Sequence, residues 1–138
     1  KDICFDNVNE KYYLKDETLE KWKYLKGSKR IPRVKPNREP YFYTEGKMDF
    51  PDSLDKPART ILTSEGSINR SSHVIKDSKG LRILTPIECE RVQGFPDNWT
   101  KGLSERMRYF VMGNSLVVPL VTRIGKVLIE SENHDNSL

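Results

Sequence analysis

Acid–base or nucleophilic chemistry needs a histidine, a cysteine or a set of carboxylates, and this chain offers few starting points. Its 138 residues hold two histidines and two cysteines. His134 lies in a polar C-terminal run, and His73 sits in a serine-rich β segment with no nucleophile placed beside it. A nucleophile requires a base and an orienting group within hydrogen-bond reach, and no such set can be assembled. Cys89 falls inside a capped helix, where cysteine packs as a small apolar residue. Cys4 has no activating charges around it. With no Cys-x-x-Cys and no histidine cluster, neither zinc nor a disulfide framework is expected. No glycine-rich phosphate loop follows a strand. The sequence therefore assigns no catalytic residue and no metal site.

What the chain does carry is positive charge. Its formal charge is +4 and its pI about 9.0, which favours an anionic partner such as nucleic acid. Across 26–38, Lys26, Lys29, Arg30, Arg33, Lys35 and Arg38 occur with no acid between them, and Pro32 and Pro36 prevent a helix. Such an extended basic strip suits tracking along phosphates; a solvated linker is the alternative. The hydrophobic fraction, 36%, is below the usual 45–50% or so. The core must be small, with a partner or long solvated loops around it. No apolar run approaches the roughly 18 residues of a membrane span, and no signal peptide is present. A reduced, intracellular protein without membrane partners is expected. The chain opens on Lys1, not on methionine, so it is read as processed or as a piece of something longer.

The elements that must position any reading side chains are short. Leu19, Trp22 and Leu25 recur at helical spacing, predicting a helix over 16–26 with Gly27 as its stop. "PYFYTEGKM", "ARTILTSEG", "SSHVI" and "LRIL" read as short strands between turns, giving a small, irregular antiparallel sheet. In "RILTPIECERVQGFPDNW", Thr85 is an N-cap, Pro86 takes the first helical position, and Glu88 completes a capping box. Leu84 and Cys89 stand where a hydrophobic staple belongs, and Gly94 is the stop. The cap alone is worth roughly 1 kcal/mol. Ser104 caps a second helix ended by Gly113. A third, from Pro119 to about Glu130, gathers Leu120, Val121, Ile124, Val127 and Leu128 on one face, with Thr122, Arg123, Lys126 and Glu130 opposite. The tail 131–138 is polar and expected to be disordered.

The stretch from Arg82 to Trp99 resembles the ninth motif of the cytosine-C5 DNA methyltransferases, Arg-x-Leu-Thr-x-x-Glu-x-x-Arg-Leu-Gln-Gly-Phe-Pro-Asp. "MGNSLVVPLVTRIGKVL" resembles their tenth motif, a Gly-Asn-Ser/Ala-Val-x-x-Pro turn followed by an amphipathic helix. "KPARTILTSEG" with "NRSSHVI" resembles the variable target-recognition region before the ninth motif. Val92 replaces the usual leucine, and Leu116 the usual valine. The family's cofactor-binding glycine loop, its Pro-Cys nucleophile and its Glu-Asn-Val motif are not in these 138 residues. Neither Ile-Cys-Phe around Cys4 nor Glu-Cys-Glu around Cys89 is the nucleophile.

The resemblance implies an α+β fold: a target-recognition domain over 1–112 that includes the ninth-motif helix at 85–93, and a tenth-motif turn and helix over 113–130 belonging to a separate Rossmann-like catalytic domain. It implies a DNA (cytosine-5-)-methyltransferase, bacterial, cytoplasmic and nucleoid-associated, in a restriction–modification system. Such an enzyme flips a cytosine from the duplex and methylates it from S-adenosylmethionine, so this chain alone would be inactive. Its partners would be double-stranded DNA and the N-terminal catalytic half, in cis or as a subunit. Arg59, Thr60, Thr63, Ser64, Arg70, Ser71, Ser72 and His73 are candidates for the major groove, with Thr60 matching the family's threonine–aliphatic pair. Lys29, Arg30, Arg33 and Lys56 are candidates for phosphates. Asn114, Ser115 and Leu116 would meet the methionine end of the cofactor, with Gly113 permitting the turn. Arg82, Thr85, Glu88, Arg91, Gln93, Gly94, Phe95 and Pro96 would be scaffold, with Leu84, Ile87, Val92, Phe95 and Trp99 as apolar support. A stand-alone DNA-binding module without enzymatic activity is the alternative.

Overall fold

The computed structural model describes residues 3–5 and 7–135. Its elements run α1 (Asp16–Lys26), β1 (Lys29–Val34), β2 (Pro40–Glu45), β3 (Val74–Lys76), β4 (Leu81–Ile83), α2 (Pro86–Gln93), α3 (Glu105–Gly113) and α4 (Val118–Asp135). The strands form two separate antiparallel pairs, β1–β2 and β3–β4, so the α+β class expected from the sequence holds.

α1 has the expected bounds and buries Trp22. β1 and β2 make a hairpin from the basic strip and the aromatic run, in register from Lys29 opposite Glu45 to Val34 opposite Pro40. The prolines sit on this two-stranded ribbon, where neither strand has a second neighbour and a missing N–H is tolerated. β3 pairs with β4 from Val74 opposite Ile83 to Lys76 opposite Leu81, and Tyr13 adds a bridge to Arg82.

Two strand expectations are corrected. "ARTILTSEG" is not a strand: it turns on itself through Glu65 N–H to Leu62 O (3.0 Å) and Ser67 N–H to Ser64 O (3.0 Å). Its backbone groups bond within the loop and to buried side chains instead of a ladder. In "SSHVI" only the last two residues enter β3.

α2 starts and stops as its sequence demands. The Thr85 hydroxyl accepts from Glu88 N–H, the Glu88 carboxylate accepts from Thr85 N–H, and Gly94 ends the helix at φ 81°. Ser104 caps α3. Gly113 is the last residue of α3 and Asn114 its C-cap, one residue later than expected. α2 packs on α3 over a core of Ile61, Ile75, Leu84, Cys89, Tyr109 and Met112, with Val92, Phe95 and Val111 against it. Trp99, expected in this support, is exposed and only touches Phe95, ring centroids 5.9 Å apart.

α4 reaches Asp135, so 131–135 are helical, not a loose tail; residues 136–138 lie outside the described residues. Leu120, Val121, Ile124, Val127, Leu128 and Ile129 are all exposed. One expectation about membranes also changes. The stretch Glu105–Glu132 contains an 18-residue window apolar enough to cross a membrane by length and composition alone. It is broken at 114–117, between α3 and α4, and α4 sets Thr122, Arg123, Lys126 and Glu130 against its apolar residues, a one-sided pattern.

Candidate nucleic-acid interface

The loop over 57–73 is held from below by two carboxylates, Asp52 partly buried and Glu65 fully so. Asp52 accepts from Arg59 Nε (3.0 Å) and Nη2 (3.1 Å) and from Val74 N–H (2.9 Å). Arg59 also donates to the carbonyls of Ser71 (2.8 Å) and Ser72 (3.4 Å). The buried Lys26 ammonium donates to Ser72 O and lies 3.9 Å from Asp52; burial pushes its pKa down, partly offset by Asp52.

Glu65, fully buried, accepts from His73 N–H and from Leu62 N–H (3.4 Å). His73 Nε2 accepts from Arg59 N–H at 3.1 Å. That bond assigns the ring proton to Nδ1, which donates to Glu65 at 2.9 Å. The histidine is a neutral strut.

On this base Ile61 is 1% exposed and sunk in the core, while Thr60 and Thr63 stand at the surface. The aliphatic residue of the threonine–aliphatic pair is thus an anchor that aims its neighbour outward. α3 supplies the floor. A Cβ on Gly113 would collide with the backbone of Leu62 and Thr63, and one on Gly66 with the Tyr109 ring.

The geometry sorts the candidate readers. Thr60 and Thr63 are exposed, and Ser64 and Ser71 half-buried. Ser72 and His73 are 1% and 3% exposed with their polar groups bonded internally, so they present nothing to a base. Arg59 is committed to Asp52. Arg70 donates to the carbonyls of Leu25, Gly27 and Gly46 and lies 3.3 Å from Glu45, clamping the base of the hairpin. Lys29 is tied to Glu45 at 2.8 Å. Lys56 is exposed and pairs with Asp49 at 3.2 Å, whereas Arg30 and Arg33 are exposed.

The ninth-motif polar residues are joined to one another. Arg82 meets Glu88 through two 2.8 Å bonds and Asp77 at 2.7 Å, with no exposed surface. Glu88 further accepts from Thr85 N–H (2.7 Å) and Phe5 N–H (3.0 Å). Burial raises the Glu88 carboxyl, but bonds from Arg82, Thr85 and Phe5 outweigh it and hold it below its usual range. Burial likewise acts against Asp77, yet Tyr13, Arg82 and the Lys79 and Gly80 amides lower it to about 2. Arg91 forks onto Asp97 (2.7 and 2.6 Å), donates to Ile3 O (3.0 Å) and covers the Phe5 ring. Burial pushes both Cys4 and Cys89 thiols up, so neither is a poised thiolate.

Gln93 spans the gap between the motifs. Its Nε2 donates to Met112 O at 2.9 Å and Ser115 O at 3.5 Å. Gly94 abuts the Pro119 ring, where a Cβ would collide. Phe95 is half-buried against the core and Pro96 exposed. In the turn, Ser115 donates to Met112 O (2.7 Å), Asn114 to Phe110 O (3.1 Å), and Leu116 is 71% exposed.

The supporting residues Asp52, Glu65, Asp77, Glu90 and Arg108 gave no sequence signal, because their partners are set by the fold rather than by a local pattern. Glu90 accepts from Thr100 and Arg108 (2.8 Å) while its Oε2 has no hydrogen-bond partner among the described residues.

A model of the C-5 cytosine-specific DNA methylases matches residues 2–130. The chain belongs to that family. It is 49% identical over 135 residues, 98% of its length, to the type II methyltransferase M.Sau3AI of Staphylococcus aureus. It is 35% identical over 82 residues to M.MspI of Moraxella sp and 36% over 66 residues to M.HpaII of Haemophilus parainfluenzae, matches covering 55% and 48% of the chain. These alignments span 33%, 20% and 16% of the respective relatives, so the chain corresponds to about a third or less of each. Membership of this C-5 methylase family implies a methyl donor. The 114–116 turn carries no charge: Asn114 donates to Phe110 O and Leu116 is exposed.

Proposed function

We infer that this chain is the C-terminal, DNA-reading portion of a DNA (cytosine-5-)-methyltransferase of a bacterial restriction–modification system. The observation that carries this reading is the Gln93 link from α2 to the 112–115 turn, made over the same core that anchors Ile61. One rigid frame thereby serves both a DNA-facing loop and a turn aimed at the reactive half. Residues 1–112 act as the recognition domain, and 113–130 as an outlying piece of the catalytic domain whose apolar α4 face that domain covers.

Thr60 and Thr63 read base edges in the major groove, where a hydroxyl can serve as donor or acceptor. Ser64 and Ser71 flank them. Lys56, Arg30 and Arg33 contact phosphates. S-Adenosylmethionine, when bound, supplies the methyl group; Asn114, Ser115 and Leu116 line the edge of its site. The nucleophile comes from the other half, and the protein works in the cytoplasm. The unpartnered apolar face of α4 argues against a self-sufficient DNA-binding module.

The test is transfer of labelled methyl groups from S-adenosylmethionine to pooled duplex DNA. The full-length protein should methylate cytosine C5 in a fixed sequence context, and Thr60→Ala should broaden that context. Transfer by the 138-residue chain alone would overturn the reading, as would an unchanged context in both Thr60→Ala and Thr63→Ala.

A further inference from the structure

The β1–β2 hairpin carries Arg30, Arg33 and, at its tip, Arg38. Its strands pack chiefly on each other. Two six-residue strands span about 20 Å at roughly 3.3 Å per residue. An isolated two-stranded hairpin is marginal in water, so something must hold it. At its base, Arg70 and Lys29 tie it to the end of α1 and to Glu45. Along its length, Arg30 lies over Phe42 and Arg33 over Tyr43, each guanidinium 4.1 Å from the ring centroid.

Register places these two pairs on opposite faces. Arg30 shares its face with Thr44, Pro32 and Phe42; Arg33 shares the other with Tyr41, Ile31 and Tyr43. Each is a diagonal pair. A guanidinium held over a ring face keeps its N–H groups free for a further acceptor. The charges then divide. Lys29 is neutralised by Glu45 and Lys35 by Glu39 (3.1 Å). Arg30, Arg33 and the tip residue Arg38, which adopts φ 67°, have no acidic partner among the described residues. Val34 and Phe42 remain 67% and 54% exposed.

We propose that the β1–β2 hairpin is an arm that grips the phosphates of duplex DNA flanking the recognised bases, through Arg30, Arg33 and Arg38. This rests on the methyltransferase reading and deepens its phosphate assignment of Arg30 and Arg33: with Arg38 they form one arm, separate from the 57–66 loop, that carries affinity without sequence information. Charge complementarity selects the occupant: three unpaired guanidinium groups on a narrow ribbon match a ladder of phosphates.

The experiment measures binding of the full-length protein to a mixed-sequence duplex several helical turns long, across a range of salt. Each phosphate contact contributes about 0.9 to the slope of log K against log salt. Arg30→Ala/Arg33→Ala/Arg38→Ala should therefore lower that slope by about 3, and the triple lysine variant should restore most of it. The sequence context of methylation should be the same in all three proteins. An unchanged slope in the alanine variant overturns the proposal, as does a change of sequence context. Because a misfolded variant would also bind weakly, the lysine variant decides: lost binding in it, with methylation intact on saturating DNA, equally overturns the proposal. If the unaltered protein methylates nothing, the underlying functional reading fails instead.

Discussion

Replacing Glu88 with alanine tests the frame where it is most tightly interlocked. Glu88 and Arg82 are both fully buried, and the carboxylate takes two bonds from Arg82, one from Thr85 N–H and one from Phe5 N–H. Removing one partner of a buried ion pair costs about 3–5 kcal/mol, and the capping box goes with it, at about 1 kcal/mol. The Thr85 and Phe5 amides also lose their acceptor. Asp77 still meets Arg82 Nε and moderates the loss, so about 4 kcal/mol is expected. A small domain holds some 5–15 kcal/mol in total, so the variant should be close to unfolding at growth temperature. Urea unfolding of the full-length protein, followed by tryptophan fluorescence, reads this as a lowered midpoint. Trp22 is buried and Trp99 lies tilted against Phe95. Arg82→Met/Glu88→Leu should recover at least about 1 kcal/mol relative to Glu88→Ala, because it removes the stranded charge. A loss below about 1 kcal/mol, or a double variant no better than the single, would refute the reasoning.

Other perturbations separate scaffold from reader. Ile61→Ala should cost about 2–5 kcal/mol by opening the core, whereas Thr60→Ala should leave the unfolding midpoint within about 0.5 kcal/mol and weaken discrimination between duplexes by about 1–3 kcal/mol. Gly113→Ala forces the turn off the Leu62–Thr63 backbone; about 1–3 kcal/mol of overpacking is expected, seen in urea, together with reduced methyl transfer. Acid unfolding has a defined sign. Asp77 is lowered to about 2, and Glu88 and Glu90 are also held down by their donors. Groups with depressed folded values stabilise the fold above their unfolded values and lose that contribution as pH falls through the folded ones. Asp77 alone, about 2 against an ordinary value of about 3.9, is worth roughly 2.5 kcal/mol. Thermal midpoints should therefore be flat above about pH 5 and fall steadily toward pH 2; stability that rises on acidification would contradict the assignments.

Much of the frame could be read from local chemistry. Thr85, Pro86, Glu88 and Gly94 specify α2 by rules confined to one helix, and the structure follows them residue by residue. α1 was equally local. The loop over 57–66 is not: a β-rich composition suggests a strand, but the buried Glu65 captures the Leu62 amide and Asp52, outside the segment, captures Arg59 instead. The same limit affected the recognition candidates. Hydroxyls, arginines and a histidine in a polar segment look alike on paper, and only burial separates Ser72 and His73, turned inward, from Thr60 and Thr63. The hairpin was visible only as an extended basic strip, because register and arginine stacking depend on the pairing of two separate runs. The one-sided face of α4 is legible from its period alone, and its apolar residues lie exposed where that pattern calls for a covering surface.

The proposed division of labour between this frame and a separate reactive half can be measured by mixing. The 138-residue chain and the segment carrying the Pro-Cys nucleophile would be prepared separately, and labelled methyl groups counted on duplex DNA. Each alone should transfer none, the mixture should transfer, and Ile124→Asp on the exposed face of α4 should abolish that gain while both polypeptides keep their unfolding midpoints. Transfer by either part alone would contradict the account, as would full activity of the Ile124→Asp mixture.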